Sequence, residues 1–236
     1  MATMNGRQTR TKRRGRPVAV ADGDMRERLL DAATTLFAER GVAVTPMGDI
    51  AARVGVTSAM IHYYFKSRER LLDVVVEERV GRFIAVVVEG IDEMCHDPLA
   101  MVQGLVTRII RAVETMPWLP SLWIREIAAD GGLLRERLLQ RLPVDSQKRF
   151  GDCIVEGQRK GVVNPDLHPY LLFVSIIGQS LFPLAVANIW KRFPTLDKLG
   201  NDGLIRHANS LLMFGVAGSA SGAKSNGRPV GRRSPC

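Results

Sequence analysis

Apolar residues recur at helical spacing through most of this chain. Between positions 24 and 40, Leu29, Leu30, Ala33, Leu36 and Phe37 fall on one face of a helix. Asp24 is placed to cap it and Gly41 to stop it. A shorter apolar stripe of Ile50, Ala51 and Val54 follows Thr45-Pro46. Thr45 reads as its cap, and Pro46 suits a first turn, where a missing N–H costs nothing. Gly55 then turns the chain, because a residue without Cβ tolerates positive φ. Thr57 reads as the cap of the next helix, Ser58 to Tyr64. Ala51 is small enough to let the two helices approach, and Ile61 fills the space between them. The spacing predicts a helix-turn-helix, whose second helix enters the major groove of a duplex.

The pattern continues as helices to residue 218. Ser67 caps a fourth, which runs through Leu71, Leu72, Val75, Val76 and Arg79 toward Glu93. Pro98 opens another, and Met116-Pro117-Trp118-Leu119-Pro120 breaks it. Leu122 to Ala129, Leu133 to Leu142 and Ser146 to Lys160 follow, and no strand is predicted. Tyr170 to Trp190 is 21 residues without a charge, long enough to cross a membrane. Pro183, Gln179, Ser175, Ser180 and Asn188 interrupt it, so it reads instead as a dimer helix, apolar all round. Leu199 to Phe214 is its partner, with Leu204, Ile205, Ala208, Leu211, Leu212 and Gly215. Two such helices from each subunit would make a four-helix interface, a homodimer through the last two helices. The predicted fold is all-α, with an N-terminal helix-turn-helix three-helix domain and a C-terminal helical ligand-binding and dimerisation domain.

Charge changes this picture at the two ends. With 46% hydrophobic and 24% charged residues, the composition is that of an ordinary globular protein. Of the net charge of +9, residues 1–20 supply six cations and residues 221–236 four, with no acid in either, which leaves the body near neutral. The divisions are therefore a basic arm at 1–22, the helix-turn-helix domain at 23–70, an effector-binding and dimerisation domain at 71–218, and a basic tail at 219–236. Basic arms beside a helix-turn-helix point to a polyanion, most simply a double-stranded DNA operator. Arg14-Gly15-Arg16-Pro17 looks like the core of an AT-hook, in which an extended Arg-Gly-Arg enters a narrow minor groove. A generic arm touching phosphates is the plainer reading of Arg14 and Arg16. Cys95, Cys153 and Cys236 lack C-x-x-C spacing, so neither a disulfide framework nor a zinc site is expected, in keeping with a cytoplasmic location. The basic N-terminus lacks the apolar run of a signal peptide.

IAARVGVTSAMIHYYFKSRERLL, preceded by LLDAATTLFAERG, resembles the TetR family of bacterial transcriptional regulators. The likeness covers Met25 to Leu72, and beyond that only the overall plan. The resemblance implies a repressor, relieved by a small-molecule effector, that occludes a palindromic operator as a homodimer; an activator would look the same. Thr45, Thr57, Ser58, Ala59, His62, Tyr63, Tyr64, Lys66 and Arg68 are the candidate DNA-contact residues. Thr57 and Ser58 lie at a helix N-terminus, where hydroxyls, N–H groups and the dipole favour phosphate. Ser58, Ala59, His62 and Tyr63 are placed to meet base edges or sugars, and Tyr64, Lys66 and Arg68 to meet the backbone. Arg68 matches the position where the family often holds a phosphate with Lys. Met60 and His62 depart from the Thr and Tyr usual in the family at those places. Phe65 is assigned to the core, and one of Tyr63 and Tyr64 could pack inward.

Trp118 and Trp123 sit near Glu126, and two indoles beside a carboxylate could line a pocket for an aromatic or cationic effector. As alternatives, the indoles are ordinary core and Glu126 pairs on the surface. Phe173, Ile177 and Phe182 divide between pocket and interface. No catalytic residues, metal ligands or cofactor are expected, because Gly-rich phosphate loops, G-x-S-x-G and paired His ligands are lacking. No membrane association is expected. The rival function is an architectural A·T-rich DNA-binding protein that uses the basic tails.

Overall fold

The computed structural model describes residues 22–218. Arg14, Arg16 and both basic arms lie outside the described residues. Helix α1 (Asp22–Arg40) ends where Gly41, at φ 97°, leaves the helix while its N–H still reaches Phe37 O at 2.9 Å. Helix α2 (Met47–Val54) closes on Gly55, whose φ of 79° is left-handed, and α3 (Ser58–Phe65) follows. Phe37, Ile50, Ala51, Ile61 and Phe65 are all buried where these helices meet, as their spacing requires.

Helix α4 (Arg68–Val74) starts at Ser67, whose hydroxyl accepts the Arg70 N–H at 3.1 Å. It widens into a π segment, Val75–Val80, and continues as α5 (Gly81–Val88). The π segment aims Glu78 and Arg79 at α1. Arg26 donates two bonds to Glu78, at 2.8 and 2.5 Å, and the buried Arg79 pairs with Glu27 and Asp31. The long connecting helix is therefore strapped to α1 on its polar side as well as packed on its apolar one.

The body is built around α6 (Pro98–Thr115), which Asp97 caps by accepting the Ala100 N–H. Its Met101, Val102, Leu105, Val106, Ile109 and Ile110 are fully buried against α9, α10 and α12. Helix α7 (Leu119–Leu122) runs into a second π segment, Trp123–Ala128, and α8 (Arg135–Leu139), α9 (Val144–Arg159) and α10 (Pro169–Ala185) follow. The stretch expected to be one uncharged helix to Trp190 breaks at Val186. Beyond it, α11 (Ala187–Trp190) folds back so that the Trp190 indole donates to Pro183 O at 2.6 Å. No helix among the described residues is long and apolar enough to cross a membrane. Helix α12 (Asn201–Val216) completes the body. Among the described residues the only strand-like feature is an isolated bridge between Val163 and Ala217.

One sequence expectation needs correcting. Cys95 and Cys153 are joined as a disulfide, Cα atoms 5.3 Å apart, although they are separated by 58 residues. Only the packing of the turn after α5 on α9 brings them together, and spacing along the chain carried no sign of it. Apolar packing also extends across residue 70. Leu122, Ile127, Leu134 and Leu138 belong to the same apolar cluster as Phe37, Ile61 and Phe65.

Candidate DNA-reading face and apolar cavity

The surface of α3 is sorted by its period. Ile61 and Phe65 point inward, while Thr57, Ser58, Ala59, Met60, His62 and Tyr63 are exposed on the other side. Tyr63 is 60% exposed and is braced rather than loose. Its ring meets the half-buried Tyr64 edge-on at 5.1 Å, and the Lys66 ammonium lies over it at 5.3 Å from the centroid. Lys66 leaves the helix with φ 62°, which carries its exposed side chain out at the C-terminal end of the same face. This arrangement offers hydroxyls at one end, a hydrogen-bonding imidazole and phenol in the middle, and a cation at the other end. Such a face suits a groove edged by phosphates.

Two sequence-predicted members, Thr45 and Arg68, stand elsewhere. Thr45 does not cap α2. It is fully buried, and its hydroxyl donates to Gly41 O at 2.7 Å, so it closes the α1–α2 loop from inside. Pro46 occupies the cap position instead. Thr57 does hold the cap position of α3, but its side chain makes no capping bond. Arg68 turns inward and donates to Thr45 O at 2.6 Å and also to Val42 O. Its guanidinium is committed to the same loop rather than to solvent.

The second feature is a cavity of about 670 Å³ between α5, the second π segment, α8 and α10. Trp123, Phe173, Ile177 and Phe182 line it. Trp118 does not; it is half-buried between the two hydrophobic clusters. Glu126 does not either. Its buried carboxylate accepts the Val42 N–H at 2.8 Å and the Leu133 N–H at 3.2 Å, which removes the acid expected for a cationic ligand. Among the described residues the lining carries no charged side chain, and Gln147 supplies its only side-chain amide. Sequence reasoning missed the contributions of Phe83 and Val87 on α5, whose four-residue spacing was the available signal. Phe83 meets Trp123 edge-on at 5.7 Å and fixes the indole against the cavity.

An exposed reading helix behind a glycine turn, carried on an all-helical body, defines a DNA-binding transcriptional regulator of the helix-turn-helix class. Residues 29–75 match the family model described as "Bacterial regulatory proteins, tetR family". That segment of the chain is therefore a TetR-type helix-turn-helix segment. The chain is 26% identical over 152 residues to the HTH-type transcriptional repressor KstR2 of Rhodococcus jostii, covering 63% of this chain and 72% of that one. The fold is similar to that of the ketosteroid transcriptional regulator KstR2 of Mycobacterium tuberculosis, with TM-score 0.62 and 22% identity over 82% of this chain and 95% of that one. It is also similar to the fatty acid degradation regulator FadR of Bacillus halodurans, with TM-score 0.60 and 21% identity over 80% of this chain and 95% of that one.

Proposed function

We propose that this protein is a ligand-responsive transcriptional repressor that binds a palindromic operator as a homodimer in the cytoplasm. The observation that carries the reading is the pairing of two features in one chain. One is the polar, solvent-facing surface of α3; the other is an uncharged cavity set against the helices that carry it. Ser58, Ala59, His62 and Tyr63 meet base edges or sugars, Lys66 meets phosphate, and Arg14 and Arg16 add a term that tolerates sequence. Thr45 and Arg68 shape the loop that sets the angle of α2 and α3.

The effector is a bulky, largely apolar molecule with one hydrogen-bonding group near Gln147. A lining without charge cannot offset the desolvation of an ion, but it rewards buried hydrocarbon at about 25 cal/mol per Å². The names of two similar proteins, a ketosteroid regulator and a fatty acid degradation regulator, agree with that chemistry. The dimer forms through α10 and α12. Leu171 and Val174 on α10 and Leu211 and Phe214 on α12 are exposed, and Phe214 is 95% so. Large apolar residues left exposed on these two helices mark an interaction site. The architectural alternative has less support, because it leaves the built face of α3 without a role.

The test is an anisotropy titration of a labelled duplex carrying the protein's preferred sequence, at two salt concentrations. Tyr63→Ala is expected to weaken binding by about tenfold or more, in line with the 1–3 kcal/mol carried by a specific contact. Lys66→Ala is expected to lower the salt slope by about one phosphate contact. Unchanged affinity in both variants would refute the reading face.

A further inference from the structure

The wall of the cavity and the DNA-reading head share one short piece of chain. Trp123, Ile124, Ile127 and Ala128 line the cavity from the second π segment, while Glu126, lying among them, faces the head. Its side chain is 95% buried and makes no ion pair among the described residues. A buried carboxylate is tolerable only if donors reach it. The donors are two backbone amides, Val42 N–H in the α1–α2 loop and Leu133 N–H just before α8. Gly41 makes the approach possible. It sits at φ 97°, and a Cβ there would lie 3.2 Å from Glu126 Oε1.

The Val42 peptide is held from both sides. Its N–H goes to Glu126 and its carbonyl accepts from Arg68. The next residue along α4, Glu69, and then Asp73 accept from Arg137, at 2.9 Å in the case of Asp73. Leu138 and Leu139, beside Arg137 in the chain, line the cavity again. Arg135 closes the circuit by donating to Ile127 O and Ala128 O, both at 2.9 Å. Residues 123–142 are thus stitched into one wall, with a polar foothold on the α1–α2 loop and another on α4. Ile127 and Leu138 also belong to the head's own apolar cluster.

We propose that Glu126 is the positioning residue through which occupancy of the cavity sets the α1–α2 loop, and with it the angle of the reading helix. The proposal rests on the pocket and DNA-binding readings above. A ligand bearing on Trp123 and Ile127 moves the π segment that carries Glu126. Hydrogen bonds weaken steeply with distance and angle, so a small shift of that segment exchanges a held Val42 for a released one. Occupancy and head geometry then become two sides of one coupling free energy.

Hydrogen–deuterium exchange of the full chain tests this, read by mass spectrometry on peptides spanning 38–47. The probe is N-phenyl-1-naphthylamine, a neutral apolar fluorophore whose binding is followed by its own emission. Without probe, Glu126→Ala is expected to speed exchange at Val42 by about tenfold or more, while exchange in α6 stays unchanged. Glu126→Gln keeps one acceptor oxygen and so rescues part of the protection. Saturating probe is expected to change exchange across 41–45 in the wild type. In Glu126→Ala it binds equally well and adds nothing. Unaltered Val42 exchange in Glu126→Ala would overturn the clamp. The same probe-induced change in both proteins, or a bound probe that leaves 41–45 untouched in the wild type, would overturn the relay. Failure of the probe to bind would count against the pocket itself, and the comparison without probe still decides the clamp.

Discussion

Thr45 and Gly41 show how much of this protein rests on single positions in a loop of six residues, from 41 to 46. Thr45 lies in the segment just before α2, yet its hydroxyl is spent inside the protein on Gly41 O. Thr45→Val is therefore expected to lower stability by about 1–2 kcal/mol, because a buried carbonyl loses its partner. The denaturation midpoint should fall while operator affinity per folded molecule holds; weaker DNA binding at unchanged stability would restore a DNA-contact role. Gly41→Ala combines a left-handed φ with a 3.2 Å approach to Glu126 and Arg125 side-chain atoms. A cost of about 1–3 kcal/mol is expected in chemical denaturation. Equal stability would show that the loop relaxes freely. These roles were not legible in the sequence. Thr45 carries every local mark of a cap, and Arg68 stands where a phosphate-holding cation is usual. Both find partners that only the folded loop presents. Glu126 lies 84 residues from the amide it holds, beyond the reach of any periodicity.

Elements were read far better than side-chain roles. Apolar spacing placed α1, α2 and α3, and Gly55 and Ile61 do what their positions required. Such signals are local, since one turn of helix decides which residue faces inward. The π segments left no such trace. Val75–Val80 sets Glu77, Glu78 and Arg79 among valines, and its widened turn shows only in where Glu78 and Arg79 point. That strap has a pH signature. The bond from Arg26 holds the Glu78 carboxyl below the usual carboxylate range, against the opposing effect of burial. Because the folded value is depressed, the stabilisation is complete above the unfolded value of about 4.3 and is lost as pH falls through the folded one. Wild type should thus lose stability below about pH 4.5 more steeply than Glu78→Gln, read as denaturation midpoint against pH. Parallel curves would show that the pair contributes nothing to the anchoring of α1.

At the scale of the whole molecule, one apolar cluster joins the head to the body. The apolar cluster around Phe37 and Phe65 takes in Ile127 and Leu138, which also line the cavity. A boundary at residue 70 is natural along the chain, where Ser67 starts a new helix, but the packing runs across it. The cavity itself was half legible. Trp123, Phe173, Ile177 and Phe182 could be named from their aromatic and apolar character, whereas its walls on α5 and α8 depend on which helices meet. Assembly belongs to this scale as well. Leu211→Asp with Phe214→Asp would place two carboxylates in the proposed α10–α12 interface, and sedimentation should then show monomers at micromolar concentration. A dimer that persists would place the interface elsewhere.

The central claim is that this chain reads a specific duplex as a symmetric pair, and selection from a random duplex library tests it most directly. The full-length protein would be used at near-physiological salt, and the bound sequences read out. The account predicts an inverted repeat whose half-sites are spaced by the dimer geometry, and its loss in Tyr63→Ala. Recovery of A·T-rich duplexes with no repeat, equally in wild type and Tyr63→Ala, would contradict it and move DNA binding from α3 to the basic arms.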